Sequence, residues 1–214
     1  MKFLQFVAFT GLGVLVLINL SCSSGETEII PREVLFGNPV KTNPQVSPDG
    51  AKMAYLAPVN NVLNVWVKTI GQDDEKAVTN DTNRGIRRYF WAAGSKHIMY
   101  LQDVGGNENW RLYGVNLDNT EVKGLTPYEN VLVQIVDRNK NFPNELLIAM
   151  NKENPQLHDV YHLDLITNEL KLVARNSGNI IQWVTDANFK VRCAMASNPE
   201  GGFDLLVREN GNCQ

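Results

Sequence analysis

The sequence predicts an all-β fold, a β-propeller built from four-stranded antiparallel blades. The first observation is a repeat of 45 to 48 residues, in which a short apolar run recurs around Tyr55, Tyr100, Ile148 and Cys193. The second is that, after the N-terminal region, no stretch carries a 3.6-residue apolar period long enough for a core helix. Four-stranded units at a period of about 40–50 residues are typical of propeller blades. An open β-sandwich is the alternative architecture.

Each repeat divides into short runs rich in β-branched and aromatic residues, which predict strands. The runs are separated by Gly, Asn, Asp and Pro, which predict turns. The clearest turn is the Ser-Pro-Asp-Gly sequence at 47–50, where Pro sets φ at the second position and Gly ends the turn. The predicted blades span approximately residues 40–80, 85–127, 130–175 and 179–214.

The fourth predicted blade is incomplete, because no fourth strand is recognisable before Gln214. We therefore expect about four blades of a larger propeller. The end blades of such a piece would expose apolar flanks and strand edges, which favour self-association. If the ring instead closes within this chain, the segment 29–36 would supply the missing outer strand of the fourth blade.

The N-terminal region has the pattern of a secretory signal. Residues 1–21 combine a basic start, an uncharged apolar run and small residues at the end. The small residues before Cys22 predict cleavage there and lipid attachment to Cys22, as in bacterial lipoproteins, with plain secretion or a retained membrane anchor as alternatives. Residues 22–28 would form a flexible tether, and residues 29–214 a partial propeller domain. We expect the chain to be exported to the periplasm or cell envelope and anchored to a membrane by its lipid.

The composition argues against several partners and ligands. Lys and Arg total 20 against 23 Asp and Glu, a net charge of -3 with no basic block, which excludes a nucleic-acid partner. His158 and His162 lie four residues apart, which in a strand separates them by roughly 13 Å, too far to share a metal ion. The sequence predicts no metal site and no cofactor.

Two motifs resemble the prolyl oligopeptidase family of serine peptidases. The first is Ile-Pro-Arg-Glu-Val-Leu-Phe-Gly-Asn-Pro at 30–39, followed by Val-Ser-Pro-Asp-Gly at 46–50. The second is Tyr-Leu-Gln-Asp at 100–103, followed by Gly-Gly-Asn-Glu-Asn-Trp-Arg-Leu-Tyr at 105–113. The second motif is most similar to the acylaminoacyl peptidase and dipeptidyl aminopeptidase branch. The resemblance covers about residues 29–210.

The resemblance implies that the propeller precedes an α/β-hydrolase domain with a Ser-His-Asp triad and restricts access to short peptides. This chain contains no Gly-x-Ser-x-Gly sequence for a nucleophile elbow, so no catalytic residue is predicted in it. We therefore expect the substrate-gating propeller of an exported serine peptidase, with the catalytic domain absent from this chain. The alternative is a stand-alone envelope propeller that acts as a protein-interaction scaffold.

Three residues are candidate substrate contacts. Glu108 lies between two Asn residues, whereas the family's dipeptidyl peptidases use paired glutamates to hold the substrate amino terminus. Arg87 and Arg88, at the start of the second blade, would recognise a carboxylate. A solvated loop for Glu108, and solvent or interblade contacts for the arginines, are the alternative interpretations.

The tryptophans and cysteines are predicted to be structural. Trp66, Trp91, Trp110 and Trp183 fall at strand positions and should fill the space between blades. Cys193 occupies the repeat position of Tyr55 and is therefore predicted to be a small buried residue. Cys213 follows the last recognised strand, and a disulfide with Cys193 is permitted by export but disfavoured by that buried placement.

Overall fold

The computed structural model describes residues 29–209 and 212–213. The predicted signal peptide, the lipidation site Cys22 and the tether 22–28 lie outside the described residues. Within the part of the chain that is described, no helix is long and apolar enough to cross a membrane.

The chain divides into two units, Met1–Gly37 and Asn38–Gln214. The described part of the first unit contains a five-residue helix, α1 (Arg32–Phe36). The amide of Val34 donates to the carbonyl of Pro31, and the amide of Gly37 to that of Glu33. The hypothesis that residues 29–36 supply an outer strand of the fourth blade, made for the case of ring closure within this chain, does not agree with the helix at Arg32–Phe36. Pro31, just before the helix, has φ −54° and a non-helical ψ of 140°, and the following Arg and Glu are good helix formers.

The second unit consists of four sheets, each of four antiparallel strands in sequence order. The first sheet contains β1 (Thr42–Val46), β2 (Lys52–Val59), β3 (Val62–Thr69) and β4 (Lys76–Ala77). The second contains β5 (Arg88–Trp91), β6 (His97–Gln102), β7 (Arg111–Asn116) and β8 (Val122–Gly124). The third contains β9 (Val133–Asp137), β10 (Glu145–Asn154), β11 (Leu157–Asp164) and β12 (Leu170–Ala174). The fourth contains β13 (Ile180–Thr185), β14 (Val191–Ser197), β15 (Phe203–Glu209) and β16 (Asn212–Cys213).

The prediction that the fourth blade lacks its fourth strand is wrong, because β16 completes the fourth sheet. This strand has two residues, and they pair with Arg208 and Glu209 of β15. A two-residue strand is too short to show an alternating pattern, so the sequence offers no signal for it. The residues of β15 from Phe203 to Val207 pair with β14 on one side.

The sheets pack face to face in series, through three hydrophobic clusters. The first two sheets meet through residues that include Leu56, Val65, Trp91 and Ile98. The second and third meet through Met99, Leu112, Leu146 and Ile148, and the third and fourth through Leu147, Val160, Trp183 and Ala194. Among the described residues no such cluster joins the fourth sheet to the first, so the array is open.

The register of the fourth sheet differs by one residue from the sequence prediction. In the third sheet the core residue Ile148 pairs with Tyr161. In the fourth sheet the core residue is Ala194, which pairs with the partly buried Leu206. Because successive residues point to opposite faces of a strand, Cys193 lies on the face that turns away from the third sheet. The prediction that Cys193 is buried is wrong, since its side chain is half-buried and its thiol is free.

Candidate functional site

The candidate site is the β6–β7 loop, residues 103–110, at one end of the second sheet. The corresponding β2–β3 connection of the first sheet has two residues, and so does the β10–β11 connection of the third. The backbone has positive φ at Gly105, Gly106 and Glu108 (65°, 85° and 59°). Glycine adopts this conformation without strain, whereas Glu108 does not. Strained residues of this kind persist where surrounding contacts hold them.

A buried carboxylate holds this loop. The side chain of Asp103 is 3% exposed, and its Oδ1 lies 3.3 Å from Nε of Arg84. Its Oδ2 accepts the backbone N–H of Glu108 at 3.2 Å. Arg84 also lies against the loop backbone, because a Cβ added to Gly106 would stand 2.6 Å from Nη1 of Arg84. Asp103 therefore connects the backbone of Glu108 to Arg84, which precedes the second sheet.

Arg84 belongs to the linker between β4 and β5, and a buried asparagine fixes this linker. The side-chain amide of Asn64, fully buried, donates to the carbonyl of Asp81 at 2.9 Å. Its oxygen accepts the hydroxyl of Thr79 at 2.9 Å and the amide of Asp81 at 2.7 Å. Further along, the amide of Ile86 donates to the carbonyl of Leu63 at 2.8 Å. The linker is thus attached to the first sheet while it presents Arg84 to the second.

The structure brings the three predicted contact residues to the same end of the second sheet. Arg88 begins β5 and pairs with Leu101, next to the end of β6. Its guanidinium carbon lies 5.0 Å from the ring centroid of Trp110, the last residue of the loop. Glu108 stands two residues before Trp110, and Arg87 one residue before β5. The side chains of Glu108, Arg87 and Arg88 are all exposed.

The residues that position this site were not assigned that role from the sequence. Asp103 and Arg84 are 19 residues apart, and their contact depends on the path of the interblade linker. The available signal is an aspartate placed directly after a buried strand and before two glycines.

The prediction for the tryptophans is confirmed for two of the four. Trp91 and Trp183 are buried between sheets, whereas Trp66 and Trp110 are half-buried.

The exposed charged side chains of the site can form ionic contacts with a ligand. A carboxylate can bind an ammonium group, and a guanidinium that stacks on an aromatic ring can bind a carboxylate. Among the described residues no cluster of three His, Cys, Asp or Glu could hold a metal ion. Nε2 of His162 lies 2.6 Å from Oε2 of Glu145. Burial lowers the pKa of His158 below its ordinary value.

Two curated relatives match most of the chain. Dipeptidyl aminopeptidase BIII of Pseudoxanthomonas mexicana is 39% identical over 183 residues, which cover 85% of this chain and 27% of that protein. Dipeptidyl peptidase family member 6 of Caenorhabditis elegans is 34% identical over 194 residues, covering 87% of this chain and 26% of that protein. The chain therefore spans about a quarter of the length of these relatives. No family model matches it.

Solved structures share the fold at low sequence identity. Dipeptidyl peptidase 4 of Porphyromonas gingivalis matches with a TM-score of 0.56 and 15% identity, over 81% of this chain and 32% of that one. TolB from Acinetobacter baumannii matches with a TM-score of 0.53 and 13% identity, over 79% of this chain and 41% of that one. The β-propeller prediction is thereby confirmed. The resemblance of the chain to the propeller portion of the prolyl oligopeptidase family is confirmed as well.

Proposed function

We propose that this chain is the substrate-gating propeller of an exported serine peptidase that cleaves short peptides. The observation that carries the proposal is the 39% identity to a dipeptidyl aminopeptidase over 85% of the chain. The loop geometry supports it, since a buried carboxylate and an interblade arginine hold an exposed Glu108 in a strained conformation. Hydrolysis would belong to a hydrolase domain outside this sequence.

In this proposal Glu108 binds the ammonium group of the substrate peptide. Its backbone is fixed through Asp103, and its side chain is exposed at the loop surface. Arg87 and Arg88 would contact carboxylate or carbonyl oxygens of the same peptide. The stacking of Arg88 on Trp110 restricts the guanidinium and lowers the entropy lost on binding.

The parent enzyme is tested by the size and labelling of the native protein. An antibody to this chain should detect, in membranes of the source organism, a species much heavier than 24.0 kDa that a fluorophosphonate probe labels. Labelling follows from an activated serine in the attached hydrolase domain. A species slightly below 24.0 kDa that resists the probe would contradict the peptidase proposal and favour the interaction scaffold.

The role of Glu108 is tested by substitution in the full polypeptide that contains this chain. Glu108→Gln should raise KM about tenfold for peptides with a free amino terminus, because it removes a charge-assisted contact. Peptides with an acetylated amino terminus should show unchanged kinetics. Glu121→Gln is the matched control, since Glu121 is exposed at the opposite end of the second sheet. Equal kinetics of Glu108→Gln and the control on free peptides would refute the role.

Lipid attachment is proposed at Cys22 and is tested separately. Metabolic labelling with an alkyne fatty acid should tag the native chain and should fail for Cys22→Ser. Retention of the label in that variant would refute attachment at Cys22. An unlabelled native chain released into the periplasm would instead indicate plain secretion.

A further inference from the structure

A small cavity lies where the first strands of the first three sheets end. β1 ends at Val46, β5 at Trp91 and β9 at Asp137, and each is followed by a turn. These ends surround a cavity of about 250 Å3. Pockets that enclose drug-sized ligands are larger, about 300–1,000 Å3, so this one suits a single amino-acid residue. It lies at the opposite end of the sheets from the β6–β7 loop.

One side of the cavity is apolar. Val46 is 58% exposed at the end of β1, and Pro48 follows in the β1–β2 turn. The indole of Trp91 is held in place because its Nε1 donates to the carbonyl of Gln45 at 3.2 Å. An apolar side chain seated against these residues would cover Val46, which the described structure leaves in water.

The other side carries two cations, Arg138 and Lys140, from the β9–β10 turn. Nη1 of Arg138 donates to the carbonyl of Trp91 at 2.9 Å, and its guanidinium carbon lies 5.4 Å from the ring centroid of Phe90. These contacts orient the guanidinium across the boundary between the second and third sheets. Both cationic side chains remain exposed, so their remaining N–H groups can reach a ligand.

The carboxylates of the adjoining turns are engaged elsewhere. Asp137 accepts the hydroxyl of Thr185 at 2.7 Å and the amide of Arg138 at 2.8 Å. Asp49 accepts the hydroxyl of Ser47 and the amide of Ala51. The cavity lining itself contains two cationic side chains and no acidic one. The cavity is therefore cationic on one side and apolar on the other.

We propose that this cavity binds the carboxyl-terminal residue of a peptide. Arg138 and Lys140 would hold the terminal carboxylate, and Val46, Pro48 and Trp91 would contact an apolar terminal side chain. Guanidinium groups bind carboxylates through two parallel hydrogen bonds, which distinguishes an acid from its amide. The inference rests on the proposed function in that the ligand is a peptide, but it concerns a different end of the sheets.

The test compares the binding of two blocked peptides to the full polypeptide that contains this chain, by isothermal titration calorimetry. Acetyl-Ala-Ala-Leu has a free carboxylate, and its carboxamide analogue differs in that group alone. The acid should bind at least about tenfold more tightly than the amide, and added NaCl should weaken it. Arg138→Gln and Lys140→Gln should each remove most of this difference. Lys171→Gln, which removes one charge from the exposed surface of β12, should leave it intact.

The inference would be overturned by equal binding of acid and amide, or by an Arg138→Gln chain that binds the acid like the unaltered chain. Displacement of the acid by equimolar inorganic phosphate would also overturn it, because it would indicate an unselective anion site. Both peptides lack the ammonium group that Glu108 is proposed to bind. A negative result for the cavity therefore does not bear on the proposed role of Glu108. A negative result for Glu108 likewise leaves the cavity proposal open to this test.

Discussion

The first and second sheets differ in the connection between their second and third strands. Between β2 and β3 the chain turns through Asn60 and Asn61, both at positive φ, which is the two-residue turn that matches the twist of a hairpin. Between β6 and β7 the same position holds eight residues, 103–110, fixed from inside by Asp103. Both connections lie in four-stranded antiparallel sheets with the strands in sequence order. The difference shows how one connection of a repeated scaffold can be lengthened and given its own buried anchor, Asp103.

The largest effect is expected from removal of that anchor. Asp103→Ala leaves Arg84 and the amide of Glu108 without their partner, and we expect the free energy of unfolding to fall by about 3 kcal/mol. Urea denaturation would measure it. Asp118→Ala is the control, because Asp118 is 71% exposed and 3.9 Å from Lys96, and its loss should change stability by less than about 0.5 kcal/mol. Equal effects of the two variants would show that Asp103 does not anchor the loop.

The second prediction separates backbone strain from contact with Arg84. Gly105 and Gly106 are both at positive φ, but a Cβ at Gly105 would meet nothing within 4 Å, whereas one at Gly106 would meet Arg84 at 2.6 Å. Gly105→Ala should destabilise by about 1 kcal/mol from strain alone. Gly106→Ala should destabilise by about 2 kcal/mol, because it also displaces the guanidinium from Asp103. Indistinguishable urea midpoints would mean that Arg84 moves aside freely.

The sheets could be predicted from sequence because their spacing repeats, whereas the anchor could not. A period of 45 to 48 residues is visible in one chain, but Asp103 and Arg84 meet through a linker whose path is set by buried Asn64. The register of the fourth sheet was misplaced for a related reason. Small residues, Ala194 and Ala196, mark the buried face of β14, so the size contrast that identifies a core face is weak there. A register irregularity between Val184 and Thr185 adds to this.

The smallest expected effect concerns residues held at positive φ in the two connections. Glu108→Gly should raise the free energy of unfolding by about 0.5 kcal/mol, because relief of strain at φ 59° exceeds the added entropy of the unfolded chain. Asn61→Gly should change stability by no more than a few tenths of a kcal/mol, since Asn tolerates this conformation. Urea midpoints of the two variants test the difference. A destabilised Glu108→Gly chain would mean that the Glu108 side chain stabilises the loop.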